Sequence, residues 1–201
     1  MFSKQTFSID YYAKKVIDYE ELLKKLVSTS SSRDIARDFC ISTGTVSNKI
    51  TRLSRQAIAV HEELKKEIEL KDSLAADGFE SYTVSQYFPN NITLLTLSSS
   101  QYVYYFNYTT IRRKGRMTEY QKLKRKMLEK EYKVFPKGIE VAFLYVLYEI
   151  EEMKKGMNQI KLFTDEKKDY VRALHRHIYG YKGLTHIRIS SRKYRNYQNK
   201  L

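Results

Sequence analysis

Residues 74–108 read LAADGFESYTVSQYFPNNITLLTLSSSQYVYYFNY, and the fold is decided there. Three strands are expected. Leu74–Phe79 is short and apolar up to Asp77, while Ile92–Leu97 and Gln101–Tyr108 are rich in β-branched and aromatic residues. Ser98, Ser99 and Ser100 form a polar turn between the last two, which predicts an antiparallel hairpin. Asp77 sits in an apolar run, so burial is expected, and a buried charge is costly without a partner such as a metal. The alternative is that Asp77 caps a turn with Gly78.

A second carboxylate follows in a similar setting. Gln159–Thr164 is a short apolar strand closed by Asp165, with a helix expected from Lys167 to about His177. If the two strands are neighbours, Asp77 and Asp165 meet at one edge of the sheet. Paired carboxylates repel unless a cation lies between them, which is the logic of a Mg²⁺ site built from oxygen ligands.

Working outward, the charge narrows the choice of partner. The 201 residues carry a net charge of +14, which points to a polyanion, most simply nucleic acid. No stretch is long enough to span a bilayer, and Met1–Tyr11 lacks the apolar core of a signal peptide. The single cysteine, Cys40, excludes a disulfide framework and a cysteine-based metal site, and a reducing cytoplasm is the expected compartment. Hydrophobic residues make up 42% of the chain, enough for a real core in one domain or two small ones.

Before the strands, Tyr19–Thr29 has Leu22, Leu23, Leu26 and Val27 at amphipathic helix spacing. Ser31 or Ser32 then caps a helix over Arg33–Phe39, and Cys40-Ile41-Ser42 is a tight connection to a third helix from Ser42 or Thr43. Ile35, Ala36, Ile41, Val46 and Ile50 fall where a helix-turn-helix buries its small core. The second helix of that motif lies in the major groove. Thr43, Thr45, Ser47, Asn48, Lys49 and Arg52 are expected to face outward, as residue types that contact base edges and phosphates. The alternative is an ordinary helical hairpin with a polar face. The helix continues through Ser54–Leu70 as a solvated connector.

After the hairpin, residues 112–130 hold nine basic and two acidic residues. Arg112, Arg113, Lys114 and Arg116 flank Gly115 in a loop before a helix near Thr118, and such a segment either tracks a phosphate backbone or is a solvated helix. Ile139–Met153 is an apolar helix expected to cover the sheet, with Phe143, Val146, Leu147 and Ile150 in the core. Leu184–Ser190 alternates like a fifth strand, and Ser191–Leu201 reads as a basic tail. His175, His177 and His186 are expected as polar contacts rather than metal ligands.

Together, SSRDIARDFCISTGTVSNKITRLSRQAI, ADGFESYTVSQYFPNNI, YTTIRRKGRMTEYQK and LFTDEKKDY resemble a bacterial insertion-sequence transposase of the DDE class, in the order such proteins use. The resemblance spans roughly residues 31–191. It implies an α+β or α/β chain: a helix-turn-helix unit over 1–71, a partial ribonuclease-H-like mixed sheet with helices over 72–191, and a basic tail over 192–201. It implies that Asp77 and Asp165 are the first two catalytic, metal-holding acids, with Mg²⁺ or Mn²⁺ weakly bound. The implied partner is double-stranded DNA (transposon ends and target) with no membrane, at the bacterial nucleoid, and self-association is open.

Two departures bear on activity. The family needs a third acid, usually Glu, on a helix after the fifth strand, and the last acid here is Asp169. Glu80, Glu166 and Asp169 lie beside the other two and cannot substitute without rearrangement. Relatives often start with a Cys-rich zinc ribbon, which is lacking, so the chain reads as truncated at both ends. The expected function is a transposase-like DNA-binding protein impaired in metal-dependent strand cleavage and transfer. The alternatives are a non-catalytic DNA-binding regulator and an RNA-binding basic protein.

Overall fold

The computed structural model describes residues 8–68, 73–132, 134–154, 159–177 and 182–190, with the side chains of residues 83 and 84 outside that description. The expected basic tail over 192–201 lies outside the described residues. The chain divides into two compact units, Met1–Ile68 and Glu69–Leu201.

The first unit is helical: α1 (Tyr19–Val27), α2 (Ser32–Asp38) and α3 (Thr43–Lys66). Each begins on a polar residue that satisfies helix-start N–H groups. Asp18 accepts from the Glu20 and Glu21 N–H groups, Ser31 from Asp34 and Ser42 from Thr45. Leu22, Ile35, Ala36 and Val46 form the buried core, with Leu26, Ile41, Ile50 and Leu53 packed around it. Leu23 and Val27 are exposed instead, because a helix 3.6 residues per turn cannot turn all four apolar positions of α1 inward.

The turn from α2 to α3 places Cys40 at φ 51°, in the left-handed region where any Cβ is strained. Its thiol reaches only the Arg37 carbonyl, at 3.6 Å. Cys40→Gly is therefore expected to stabilise this unit by about 0.5–1 kcal/mol, read as a raised unfolding midpoint. A lowered midpoint would show that the thiol contributes more than its backbone strain costs.

The second unit is α+β. Its mixed sheet has the order β3-β2-β1-β4-β5. β1 (Leu74–Ser85), β2 (Phe88–Leu97) and β3 (Val103–Thr110) form an antiparallel meander, while β4 (Ile160–Thr164) and β5 (Leu184–Arg188) add in parallel beside β1. β1 is longer than the sequence suggests. It runs past Phe79 and turns back through Gln86 and Tyr87, with Ser85 paired to Phe88. The cross-strand pairing outweighs the polar composition of residues 80–85.

α4 (Glu119–Leu128) buries no residue and starts on a capping box between Thr118 and Gln121. α5 (Gly138–Met153) packs on β2 and β3 and against α6 (Lys168–Arg176). It buries Phe143, Val146, Leu147 and Ile150 as its apolar pattern predicts, along with Ile139 and Ala142. Gly138 lies so close to β3 that a Cβ there would come within 2.5 Å of the Thr109 hydroxyl. α6 turns Tyr170, Ala173 and Leu174 inward.

Candidate functional site

Strand periodicity places the first acid. Leu74 and Ala76 face the core, so Asp77 stands with Ala75 on the opposite face. Asp77 is exposed, which corrects the expected burial. Gly78 is inside a continuous strand, which corrects the expected turn, although Asp77 Oδ1 does accept the Gly78 N–H at 2.7 Å. Asp165 follows the last residue of β4, where its Oδ1 accepts the Lys167 N–H at 3.1 Å and orients the entry to α6.

β1 and β4 are adjacent and parallel, with Ala76 opposite Thr164, so Asp77, inside β1, and Asp165, just past the end of β4, each follow the last paired residue of the two strands. Asp77 and Asp165 line one cavity of about 350 Å³, shared with Thr96, Phe163, Thr164 and Ile189. Each carboxylate has one oxygen held by a backbone N–H. Two oriented carboxylates are hard oxygen donors of the kind Mg²⁺ and Mn²⁺ take, so this donor set fits such an ion. Among the described residues, no three His, Cys, Asp or Glu side chains gather to hold a metal. Glu80 and Glu166 are exposed, and Asp169 lies within reach of Arg172, at 3.9 Å.

Two residues stand behind the acids, one that escaped the sequence reading and one that it expected as a polar contact. Tyr170 is 0% exposed and stacks on Phe143 with ring centroids 4.2 Å apart. Its hydroxyl lies where a Cβ on Gly78 would come within 2.9 Å, and it has no hydrogen-bond partner among the described residues. Burial, and then the charges of Asp165, Asp77 and Asp169, push the phenol far above the ordinary tyrosine range and keep it neutral. The available signal was the spacing of Tyr170, Ala173 and Leu174, an inward stripe that begins four residues after the end of LFTDE.

His186 on β5 is the other. Its Nε2 lies 2.8 Å from Thr164 Oγ1, which itself donates to the Asp165 carbonyl at 2.8 Å. A hydroxyl donates once, so Nε2 carries the proton and donates to Thr164. Burial, and secondarily Arg188, lower the imidazole below its ordinary range and favour the neutral ring. His186 thus ties the end of β4 to β5, as a polar contact.

In the first unit, the outward face of α3 is narrower than expected. Thr43, Ser47 and Asn48 are exposed, and Thr45 is half-buried against Ser42 Oγ at 2.9 Å. The outward placement of Lys49 is corrected. Its ammonium is buried, pairs with Asp10 at 2.8 Å and sits over the Tyr19 ring at 5.1 Å. Arg52 is half-buried and donates to the Ile9 and Tyr11 carbonyls, both at 2.8 Å. The reason is helical phase: Lys49 falls three residues after Val46, on the stripe that continues to Ile50 and Leu53.

The basic loop of the second unit is divided. Arg112 pairs with Glu129 at 3.1 Å and Arg113 donates to Gln86 at 2.9 Å, while Lys114 and Arg116 are exposed beside Gly115, whose φ is 101°. No described helix is long and apolar enough to cross a membrane.

No known family model matches the chain, and no curated protein matches it. Among solved structures, one described as "3'-end specific recognition of histone mRNA stem-loop by 3'-exonuclease" is similar at 13% identity and a TM-score of 0.22, over 78% of this chain and 61% of that one. The chain therefore spans less than two thirds of that structure's chain, and a score so low says nothing about shared fold or chemistry.

Proposed function

We propose that this is a DNA-binding protein of the insertion-sequence transposase type, pairing a helix-turn-helix unit with a ribonuclease-H-like unit. The observation that carries the reading is that Asp77 and Asp165 line one cavity, each one residue past the last pair that joins the parallel strands β1 and β4. The order β3-β2-β1-β4-β5, with one acid on the first strand and one after the fourth, supports the ribonuclease-H-like assignment. The tight α2–α3 turn and the exposed Thr43, Ser47 and Asn48 support duplex recognition by α3. Double-stranded DNA is the partner this reading implies, and the bacterial nucleoid the location.

Asp77 and Asp165 would hold the Mg²⁺ or Mn²⁺, each carboxylate oriented by a backbone N–H. When bound, the ion supplies Lewis-acid polarisation of a phosphodiester oxygen. Two ligands hold it weakly, since Mg²⁺ gives up water reluctantly. Strand cleavage and transfer are accordingly expected to be slight.

Mn²⁺ at ten times its dissociation constant is expected to stabilise the second unit by about 1.4 kcal/mol. Asp77→Asn should remove most of that gain and Glu80→Gln should not. An equal gain in Asp77→Asn would refute the site. Cleavage of a terminal-repeat duplex in Mn²⁺ tests the chemistry, and robust turnover would overturn the expected inactivity.

The second reading is a non-catalytic regulator that occupies DNA sites, favoured by the lack of a third clustered ligand among the described residues. It requires duplex binding that survives Asp77→Ala and fails with Asn48→Ala. Arg52→Ala is a poor probe for it, because Arg52 holds the backbone of residues 9 and 11.

A further inference from the structure

The second unit has another pair of cavities, away from the two acids. One, of about 510 Å³, lies between β3 and α5 and is walled by Tyr105, Tyr108, Phe135 and Tyr145. The other, of about 610 Å³, is lined by Arg112, Arg113, Lys114 and Lys137, with Asp169 the one carboxylate among the described residues. Phe135, Pro136 and Gly138 line both, so the aromatic cleft opens directly into the basic one.

The aromatic side chains are strongly solvated for residues of their kind. Phe135 is 75% exposed and Tyr108 74%. Solvated aromatic rings grouped around a concave surface mark an interaction site. The charge next to them selects the occupant. Arg112 and Arg113 are engaged by Glu129 and Gln86, and Asp169 lies near Arg172. Lys114 and Lys137 are both exposed, and no hydrogen bond or ion pair holds either ammonium among the described residues. An aromatic slot continuous with free ammonium groups matches a molecule with a flat apolar face joined to an anion. A nucleotide is that molecule, since every base has a π-face and every linkage a phosphate. A peptide would need acidic groups beside its apolar ones to match the same lining.

In duplex DNA the bases are stacked and paired, so their faces are hidden from such a cleft. We propose that the β3–α5 cleft takes an unpaired base of a single-stranded nucleic-acid segment, stacked against Tyr108 and Phe135, with its flanking phosphates on Lys114 and Lys137. This site is independent of Asp77 and Asp165 and needs no metal. It adds single-strand capture to the duplex recognition assigned above to α3.

The test uses the full chain in EDTA with fluorescein-labelled oligothymidylate and oligouridylate of about twelve nucleotides, and a duplex of equal length, read by anisotropy. Phe135→Ala and Tyr108→Ala alter exposed side chains and are expected to keep the fold, checked by their circular dichroism. Each is expected to weaken single-strand binding about tenfold, with the slope of log affinity against log salt unchanged. Lys137→Gly also relieves a backbone φ of 57°. It and Lys114→Ala should each weaken binding and flatten the salt slope by about 0.7. Duplex binding should be indifferent to Phe135→Ala. DNA and RNA strands losing affinity alike indicate recognition through base and phosphate, whereas a loss in one arm only still supports the cleft and names the source. Wild-type single-strand binding by both aromatic variants would overturn the proposal and leave the cleft to a peptide. So would an equal loss on duplex. Asp77→Asn should bind the single strands as wild type, so failure here and failure of the metal site are read separately.

Discussion

Tyr170→Ala is expected to destabilise the second unit by about 3–5 kcal/mol, while Tyr170→Phe is expected to be neutral or to stabilise by up to about 1 kcal/mol. The side chain is fully buried and stacks on Phe143 at an interplanar angle of 21°, so truncation removes a large contact area and opens a cavity between α5 and α6. The hydroxyl is a different matter. It is buried, has no partner among the described residues, and is held neutral by its burial and by the charges of Asp165, Asp77 and Asp169. An unsatisfied buried hydroxyl costs more than it returns, so the phenyl ring should do as well or better. Hydrogen exchange of the β1 and β4 amides in the full chain reads both variants within the correct unit. A clear loss of protection in Tyr170→Phe would mean that the hydroxyl is hydrogen-bonded, for instance through water, and that it helps place Asp77 and Asp165.

The second large effect concerns the ion pair of the helical unit. Asp10→Asn is expected to cost about 3 kcal/mol, and Lys49→Met less than about 1 kcal/mol. The asymmetry follows from exposure. Lys49 is 4% exposed, so removing its carboxylate strands an ammonium in a nearly dry site. The Asp10 side chain is 23% exposed and can turn to water when Lys49 is gone. Met also fills the stripe beside Val46 with an unbranched apolar chain. The double variant should recover most of the Asp10→Asn loss, because no charge then remains buried. Urea unfolding followed by helical circular dichroism measures all three. Equal losses in the two single variants would show that the pair contributes through mutual attraction rather than through the burial of one partner.

Much of this was legible in the residues. β-branched and aromatic runs give β2, β3 and β4, serine caps give α2 and α3, and the apolar stripe of α5 gives the core residues it buries. The two acids could be placed on or just after strands because a short apolar run leading to Asp is a local signal, although β1 runs on past Asp77 to Ser85. What escaped depends on partners far away in the chain. Asp77 is exposed because the strand alternates, and only the packing of distant helices on the sheet says which face is covered. Lys49 is a polar letter on an apolar stripe, and nothing local announces that Asp10 will reach it across 39 positions. The aromatic cleft is invisible for the same reason, since Tyr108 and Phe135 sit on separate elements.

The order of the sheet also bears on how the unit comes together. β1, β2 and β3 are joined by hairpins, so closing them costs little chain entropy. β4 returns to β1 only after the two helices α4 and α5, and as a parallel partner it has no tight turn to guide it. Such long-range pairings are the slow and entropically costly ones. Asp77 belongs to the hairpin set and Asp165 to the late arrival. A chain that has formed only its meander owns the first acid and no cavity, so the carboxylate pair exists only once β4 has docked beside β1.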